Sequence, residues 1–369
     1  MEEIIMFPDF KKVPFEILWE LTERCNFKCT HCGNFTDILP RASELDFEQI
    51  CTAIDHMQIQ RPLAITFTGG EPFLRDDLCS IIDLLYQRLD IAGIHAYTNG
   101  SKLFPIGVKL LEKGVKLWVS LEGTDKNTID TIRGKGSFAL VVNNLRKLIN
   151  IKNENPDLKG SIGIAYTATA KSNSADEILD FAENLGVDAL SVTRVSKTGR
   201  AIQNRELLIS DKRIFEFIER LIVLKDSFTF QMSIDPRIFK PLVKKIINLK
   251  NGLNIPHSYI GCGAAQCKIT ILADGSVVPC REIYPGARIF DSLNLVKKNI
   301  KDNYLFDILD SMKSVCIHRN HADYRKYYPC HKCEYAGGYC DPCWKDSYFD
   351  ESHTESLCAY VIHKLDTME

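Results

Sequence analysis

The sequence predicts an α/β fold, in which helices cover a parallel sheet, followed by a cysteine-rich C-terminal region. Over the first 200 residues, apolar runs of strand length alternate with longer amphipathic segments. Six such strand–helix units in series imply parallel strands with helices outside them. Six units are too few to close an eight-stranded barrel. From Gly261 the alternation stops, and eight cysteines and six glycines fall within residues 261–343.

The predicted strands are rich in Val, Ile, Phe, Tyr and Thr, as buried parallel strands are. They span residues 15–22, 63–68, 93–98, 116–121, 161–168 and 189–195. The segments between them carry apolar residues at helical spacing. They span residues 47–57, 77–89, 138–149 and 174–185. The last of these begins with Ser174-Ala-Asp-Glu, which predicts a capping box at its start.

Composition narrows the class of protein. Of the 369 residues, 45% are hydrophobic and 25% are charged, which is ordinary for a globular chain. Lys plus Arg number 46 and Asp plus Glu 48, so neither nucleic acid nor an anionic membrane is an expected partner. Residues 1–10 do not resemble a signal peptide, and no apolar run approaches the roughly 18 residues needed to span a bilayer. We therefore expect a cytoplasmic protein.

The change in pattern along the chain predicts three regions. Residues 1–202 form the α/β part, 203–259 a bridging region with a helix at 211–226, and 260–369 the cysteine-rich domain. Fourteen cysteines in a cytoplasmic chain are not expected to form disulfides, and their clustering indicates metal. Cys51 and Cys79 stand apart from the clusters in helical segments, so we interpret both as packing residues.

Three cysteines near the N-terminus form the most informative motif. Cys25, Cys29 and Cys32 follow the first predicted strand with C-x3-C-x2-C spacing. A four-iron cluster held by three thiolates keeps one iron open, whereas a cluster that only carries electrons usually has four protein ligands. A zinc site or separate core thiols are the alternatives.

This loop after a first strand resembles the radical S-adenosylmethionine (SAM) superfamily. The resemblance implies that Cys25, Cys29 and Cys32 hold a 4Fe–4S cluster whose open iron chelates SAM. It also implies that an electron from the cluster splits SAM and releases a 5′-deoxyadenosyl radical, which takes a hydrogen atom from the substrate. The fold implied is a partial (β/α)6 barrel, and the six predicted units agree with it.

The end of the second predicted strand strengthens the resemblance. Gly69, Gly70, Glu71 and Pro72 are similar to the GGEP motif of radical SAM enzymes, which receives the SAM amine. Two glycines allow backbone to approach a ligand closely, and the Glu71 carboxylate can accept from an ammonium. A simple strand-to-helix turn is the alternative interpretation.

Polar residues also follow the later strands, where α/β barrels place their sites. The resemblance implies that Ser120 and Glu122 lie near the ribose and that Arg133 pairs with the SAM carboxylate. Asn99 is either a further contact or a turn residue before Gly100. Thr193 and the segment 199–201 resemble a late barrel segment near adenine.

The C-terminal cysteines form a second constellation. Residues 268–273 and 276–278 predict a hairpin around Asp274-Gly275, which would bring Cys267 and Cys280 together at its open end. The whole pattern resembles the SPASM extension of radical SAM enzymes, although Cys340 is shifted by one residue. The resemblance implies two auxiliary 4Fe–4S clusters and hence three in the chain. Their ligand sets would be Cys262, Cys267, Cys280 and Cys343, and Cys330, Cys333, Cys340 and Cys358. A single auxiliary cluster or zinc at the C-x2-C pairs are the alternatives.

The resemblance to two-cluster members predicts radical modification of a peptide or protein side chain, with a flavodoxin- or ferredoxin-like electron donor. Only 24 residues precede Cys25, so we expect no separate N-terminal peptide-binding domain. Arg281 stands where sulfatase-maturating enzymes carry an aspartate base, which leaves Glu282 as the candidate catalytic residue. Oxidation or epimerisation of a small molecule, such as a sugar or aminocyclitol, is the alternative. A non-catalytic electron carrier would leave Gly69–Pro72 and Arg133 unexplained.

Overall fold

The computed structural model describes residues 14–33, 43–256, 263–281, 295–312, 315, 330–335, 340 and 357–366. Its strands are β1 (Phe15–Thr22), β2 (Leu63–Gly69), β3 (Ile91–Thr98), β4 (Lys116–Leu121), β5 (Ser161–Ala168), β6 (Ala189–Arg194), β7 (Gln231–Ile234), β8 (Lys268–Ile271), β9 (Ser276–Val278) and β10 (Lys298–Asn299). Its helices are α1 (Phe47–His56), α2 (Leu78–Arg88), α3 (Ile106–Glu112), α4 (Lys126–Arg133), α5 (Ser137–Glu154), α6 (Ala175–Leu185), α7 (Asp211–Leu224), α8 (Pro241–Asn251), α9 (Leu305–Ser311) and α10 (Leu357–Asp366).

The described strands form one sheet in the order β10-β9-β8-β1-β2-β3-β4-β5-β6-β7. Strands β1 to β6 lie side by side in chain order, and every neighbouring pair among them is parallel. A helix follows each of the first six strands. The predicted α/β fold with six strand–helix units is therefore confirmed.

The sheet extends into the regions predicted to lie beyond the barrel. Strand β7 arises from the predicted bridging region and pairs in parallel with β6, with Ala189 opposite Gln231. Strand β8 arises from the cysteine-rich region and pairs in parallel with β1, with Ile17 opposite Ile269. One sheet thus runs through both predicted boundaries.

Each barrel strand buries one face more deeply than the other. In β2, Leu63, Ile65 and Phe67 are at most 2% exposed, while the residues between them are half-buried. Alternation of this kind is expected when helices pack on one side of the sheet only. The half-buried face, opposite the helices, carries the polar residues predicted at the strand ends.

The predicted C-terminal hairpin is confirmed. Strands β8 and β9 are antiparallel, with Thr270 opposite Val278. The turn places Gly275 at a φ of 83°, a conformation that favours glycine, and Asp274 Oδ1 accepts the Ser276 N–H at 2.9 Å.

Local signals set several helix ends. At α6 the Ser174 hydroxyl accepts the Glu177 N–H and the Glu177 carboxylate accepts the Ser174 N–H, so the predicted capping box is confirmed. The longest helix described, α5, has 18 residues. None of the helices described is both long and apolar enough to cross a membrane.

The start of α5 is capped from a distance. Its N-cap residue is Gly136, which has no side chain to accept the first N–H groups. Asp130 in α4 supplies the acceptors instead, taking the Gly136 and Phe138 N–H groups at 2.9 Å each. Lys126 Nζ also lies 2.7 Å from Asp130, and this contact together with the two N–H groups holds the pKa of Asp130 well below its usual range. Asp130 therefore joins α4 to α5.

Replacing Asp130 with asparagine is expected to lower the free energy of unfolding at pH 7 by about 1 kcal/mol. Because the folded-state pKa is depressed, the carboxylate stabilises the fold above its unfolded pKa of about 4. That stabilisation is lost as the pH falls further, toward the folded-state value. Urea unfolding of wild type and D130N between pH 7 and pH 3 measures the difference, which should narrow below about pH 4. D157N, at an exposed loop position, is the control; an equal loss in both variants would contradict the capping role.

Candidate functional site

The three N-terminal cysteines lie on one loop directly after β1, and their thiols interact electrostatically. Burial first of all, and then the Glu122 carboxylate and the other two cysteines, raise the pKa of the Cys29 thiol to about 12, although Arg133 opposes the shift. Burial also raises the pKa of Cys25. The thiols of Cys25 and Cys29 are therefore protonated at neutral pH, and a metal that binds them must displace protons.

The loop fits an iron–sulfur cluster by the chemistry of its donors. Cys25 Sγ accepts the Phe27 N–H at 3.5 Å and the Asn99 Nδ2 amide at 3.7 Å. Hydrogen bonds to ligand sulfurs are among the features with which proteins tune such clusters. Asn99 follows β3 and also binds Asn26 Oδ1 at 2.9 Å, so it fixes the beginning of the loop.

The glycines at the end of β2 allow close contact with the backbone that leads into the cysteine loop. Gly70 N–H donates to Thr22 O at 2.6 Å, and Glu71 N–H donates to Arg24 O at 2.8 Å. A Cβ on Gly70 would lie 2.1 Å from Arg24 O, a backbone atom that has no room to yield. The sequence predicted close approach to a ligand here, and the structure shows close approach to the backbone that leads into the cysteine loop.

Replacing Gly70 with alanine is therefore expected to displace the loop, to lower the iron content by about four per chain and to cost about 1–3 kcal/mol of stability. Iron analysis after anaerobic reconstitution and urea unfolding measure the two effects. Gly93→Ala is the matched control, because Gly93 lies in a neighbouring strand and its Cβ would meet no atom within 4 Å. Equal iron content in G70A and G93A would contradict the steric argument.

Glu71 is fully buried, and its carboxylate is held by the protein. Oε1 accepts from the Phe73 N–H at 3.1 Å and from the Thr98 hydroxyl at 2.8 Å, and Oε2 accepts from the Asn99 N–H at 2.6 Å. Burial outweighs these donors and raises the pKa of Glu71 to about 7. Pro72 begins a 3-10 turn, Pro72–Leu74, for which Glu71 is the N-cap.

Glu122 and Arg133 form a buried ion pair. Arg133 Nε and Nη2 donate to the two Glu122 oxygens at 2.6 and 2.7 Å, and Arg133 Nη1 donates to Asn99 O at 3.2 Å. His31 Nε2, from the cysteine loop, lies 3.3 Å from Glu122. Burial would raise the pKa of Glu122, but Arg133 and His31 hold it below its ordinary value. Both residues predicted as separate SAM contacts are thus bound to each other beside the loop.

The remaining predicted contacts lie at the same edge of the sheet. Ser120 is on β4 and half-buried, on the face opposite the helices. Thr193 is near the end of β6, where its hydroxyl donates to Asp235 Oδ2 at 2.8 Å. Asp235 follows β7 and is also held by Arg237, whose Nη2 lies 2.6 Å from Oδ2. Sequence analysis missed Asp235 because it missed the short strand that ends before it.

A row of aromatic rings on the face of the sheet opposite the helices was not predicted from the sequence. His95 and Tyr97 on β3 stack against Trp118 on β4, with ring centroids 6.4 and 6.2 Å apart. Trp118 Nε1 donates to His95 Nδ1 at 3.1 Å. A Cβ on Gly163 of β5 would lie 2.5 Å from the Trp118 ring, so the glycine lets the ring lie against the sheet. Alternate aromatic residues on neighbouring strands were the available signal.

The four thiols of the predicted second auxiliary quartet interact electrostatically. Cys330, Cys333 and Cys358 contribute to the electrostatic environment of the Cys340 thiol, whose pKa burial raises to about 12. Cys358 lies on α10, which packs against α8. Lys240, the N-cap residue of α8, lies beside three of these thiols, and their charges raise its pKa. A lysine ammonium here would offset the negative charge of four thiolates.

The other predicted quartet is described in part. Cys267 and Cys280 flank the β8–β9 hairpin at its open end, as expected. Arg281, the next residue, reaches the end of β1, where its Nε lies 2.7 Å from Glu20 Oε1. Cys262, Cys343 and the candidate base Glu282 lie outside the described residues.

Two family models and several known proteins match this chain. The radical SAM superfamily model matches residues 19–182, and that of the SPASM iron–sulfur cluster-binding domain matches residues 262–334. Mycofactocin maturase MftC of Mycolicibacterium smegmatis is 31% identical over 191 residues, which are 51% of this chain and 46% of that protein. PqqA peptide cyclase of Ruegeria pomeroyi is 27% identical over 276 residues, which are 72% of this chain and 67% of that protein.

A solved structure extends the likeness to the fold. SuiB of Streptococcus suis, bound to S-adenosylmethionine, superposes with a TM-score of 0.68 at 17% identity, over 94% of this chain and 77% of that one. The chain spans about half the length of the mycofactocin maturases that it matches. The two family models together cover more than half of the chain. This protein therefore belongs to the radical SAM superfamily and carries an iron–sulfur cluster-binding SPASM domain.

Proposed function

We propose that this protein is a radical SAM enzyme that removes a hydrogen atom from a side chain of a peptide or protein. The observation that carries the proposal is the C-x3-C-x2-C loop, which lies at the carboxyl end of β1 among the other strand ends of a partial barrel. When bound, a cluster with one open iron supplies the electron that splits SAM into methionine and a 5′-deoxyadenosyl radical.

In this proposal Cys25, Cys29 and Cys32 provide the three thiolates. Asn99, Ser120 and Thr193 border the space above the sheet where the nucleoside would lie. Arg133 uses three of its five N–H bonds on Glu122 and Asn99, and we assign the others to the SAM carboxylate. Glu71 already accepts three hydrogen bonds, and its fourth acceptor position is the one that we assign to the SAM ammonium.

We further propose two auxiliary 4Fe–4S clusters, one held by Cys262, Cys267, Cys280 and Cys343 and one by Cys330, Cys333, Cys340 and Cys358, so that the chain holds three in all. The electrostatic interaction of Cys330, Cys340 and Cys358 with Lys240, and of Cys333 with Cys340, supports the assignment of this quartet. With four thiolates each, both clusters suit electron transfer from a substrate radical better than binding of a substrate. A flavodoxin- or ferredoxin-like protein would supply electrons, and a reducing compartment such as the cytoplasm suits the free thiols.

The choice of a peptide substrate rests on the relatives. One is named a mycofactocin maturase and another a PqqA peptide cyclase, and SuiB has been solved bound to its precursor peptide SuiA. Glu282 remains the candidate base because it follows Cys280 and Arg281 in the chain.

The test begins with SAM alone. Anaerobically reconstituted protein, reduced with dithionite, is expected to release 5′-deoxyadenosine, measured by chromatography. Short peptides encoded beside the gene are then added, and a mass change that requires both SAM and reductant supports the proposal. Absence of 5′-deoxyadenosine would refute the radical chemistry. If 5′-deoxyadenosine forms and a sugar or aminocyclitol is modified while none of the peptides is, the substrate is a small molecule and not a peptide.

A further inference from the structure

Three backbone carbonyls of the cysteine loop are bound by donors from one distant segment. Arg200 Nε donates to Cys29 O at 2.9 Å, Asn204 Nδ2 donates to Thr30 O at 3.2 Å, and the Arg200 N–H donates to Cys32 O at 2.9 Å. The donors come from the segment after β6, about 170 residues along the chain. Sequence analysis expected residues 199–201 near adenine, whereas Arg200 lies on the cysteine loop.

The segment that carries these donors is itself fixed. Residues 199–202 form a 3-10 turn in which Ala201 is fully buried. Asn204 Nδ2 also donates to Arg200 O at 2.9 Å, which ties the two donor residues together. On the loop side, a Cβ on Gly33 would lie 3.0 Å from Thr198 Oγ1, so the two segments are in close contact. The donors are therefore held in place by contacts within the protein.

Holding these carbonyls on one side has a consequence for the thiols. A backbone carbonyl is an obligatory hydrogen-bonding group, so a donor fixed in the protein favours one orientation of its peptide unit. With the carbonyls of Cys29, Thr30 and Cys32 bound, the path of the loop is set from Cys29 to Cys32. Because the protein's own donors fix these dihedrals, the loop loses less conformational entropy when its thiols bind a cluster.

We propose that Arg200 and Asn204 are positioning residues for the cysteine loop. They hold its backbone in the shape that presents Cys25, Cys29 and Cys32 to one cluster, and Arg200 places a guanidinium beside that cluster. This inference rests on the proposed function, since it takes the loop to hold the SAM cluster. Neither residue touches SAM or substrate in this role, and both act through the loop backbone.

The test compares Arg200→Met and Asn204→Ala with Arg205→Met, which alters an exposed arginine in the next turn of the same segment. Iron loss to a chelator is followed after anaerobic reconstitution. Loss of iron from the loop cluster is expected to be roughly ten-fold faster in R200M than in wild type, because residues that orient metal ligands typically contribute 10- to 100-fold to metal affinity. N204A should show a smaller change, and R205M none.

A spectroscopic measurement distinguishes positioning of the cysteine loop from a general contribution to the stability of the fold. The EPR signal of the reduced loop cluster should differ between R200M and wild type, and so should its change on adding SAM, because only a cluster with an open iron responds to SAM. Arg200→Lys should restore part of the wild-type signal, since a lysine can donate to one carbonyl and keeps the charge.

One outcome would overturn the inference: wild-type iron retention and a wild-type EPR signal in R200M, whether its melting temperature is lowered or unchanged. Neither readout needs SAM to be cleaved. If wild type releases no 5′-deoxyadenosine while R200M still loses iron faster, the proposed function fails and the positioning role stands.

Discussion

Replacing Cys29 with alanine is expected to abolish 5′-deoxyadenosine formation and to lower the iron content from about twelve to about eight per chain. Two thiolates cannot hold a four-iron cluster whose remaining irons are open to solvent and SAM. C25A and C32A should behave alike, because the three thiols lie on one loop and share one electrostatic environment. Iron and sulfide analysis with chromatography of the nucleoside product measures both effects.

Cys51→Ala is the matched control for these variants. Cys51 lies on α1 and is half-buried, and the sequence predicted it to be a packing residue. It should keep both the iron content and the SAM cleavage of wild type. A C29A protein that keeps about twelve irons would show that the loop holds no cluster, and one that keeps SAM cleavage would place the reactive cluster elsewhere.

Much of the fold was predictable because its signals are local. Alternating apolar runs marked β1 to β6 within a few residues, and Asp274-Gly275 marked the β8–β9 turn. The pairing of β8 with β1 was not predictable, since it joins residues about 250 positions apart and leaves no period in either segment. Strand β7 was missed because its four residues are too few to show alternation.

The site was predictable as a set of positions but not as a set of bonds. Motif spacing identified the cysteines, Glu71, Glu122 and Arg133. It did not show that Glu122 and Arg133 bind each other, because their pairing depends on where the end of β4 and the end of α4 meet in space. A side chain's partner across the fold leaves no trace in the pattern of one sequence.

Breaking the Glu122–Arg133 pair is expected to lower the stability of the protein strongly. Glu122→Gln leaves the Arg133 guanidinium charged and buried. Arg133→Met leaves the Glu122 carboxylate buried without its cationic partner, because burial lowers the pKa of its other neighbour, His31. Removing one partner of a buried pair typically costs about 3–5 kcal/mol. Urea unfolding of each variant at pH 7 measures the loss. The double variant E122Q/R133M should lose less than the sum of the two, because neither charge is then left alone.

Asp176→Asn provides the comparison that isolates burial as the cause. Arg220 holds Asp176 with the same two-pronged geometry, at 2.6 to 3.1 Å, but both side chains are about half exposed. An exposed pair contributes at most about 1 kcal/mol, so D176N should change stability by no more than that. If E122Q lowered the free energy of unfolding as little as D176N, water would have to reach Arg133 in the folded protein. A guanidinium accessible to water would also be accessible to the carboxylate of SAM, and Arg133 could then exchange Glu122 for the ligand at little cost. A large penalty instead means that Glu122 stays with Arg133 when SAM binds, and that only the remaining N–H bonds of Arg133 are available to SAM.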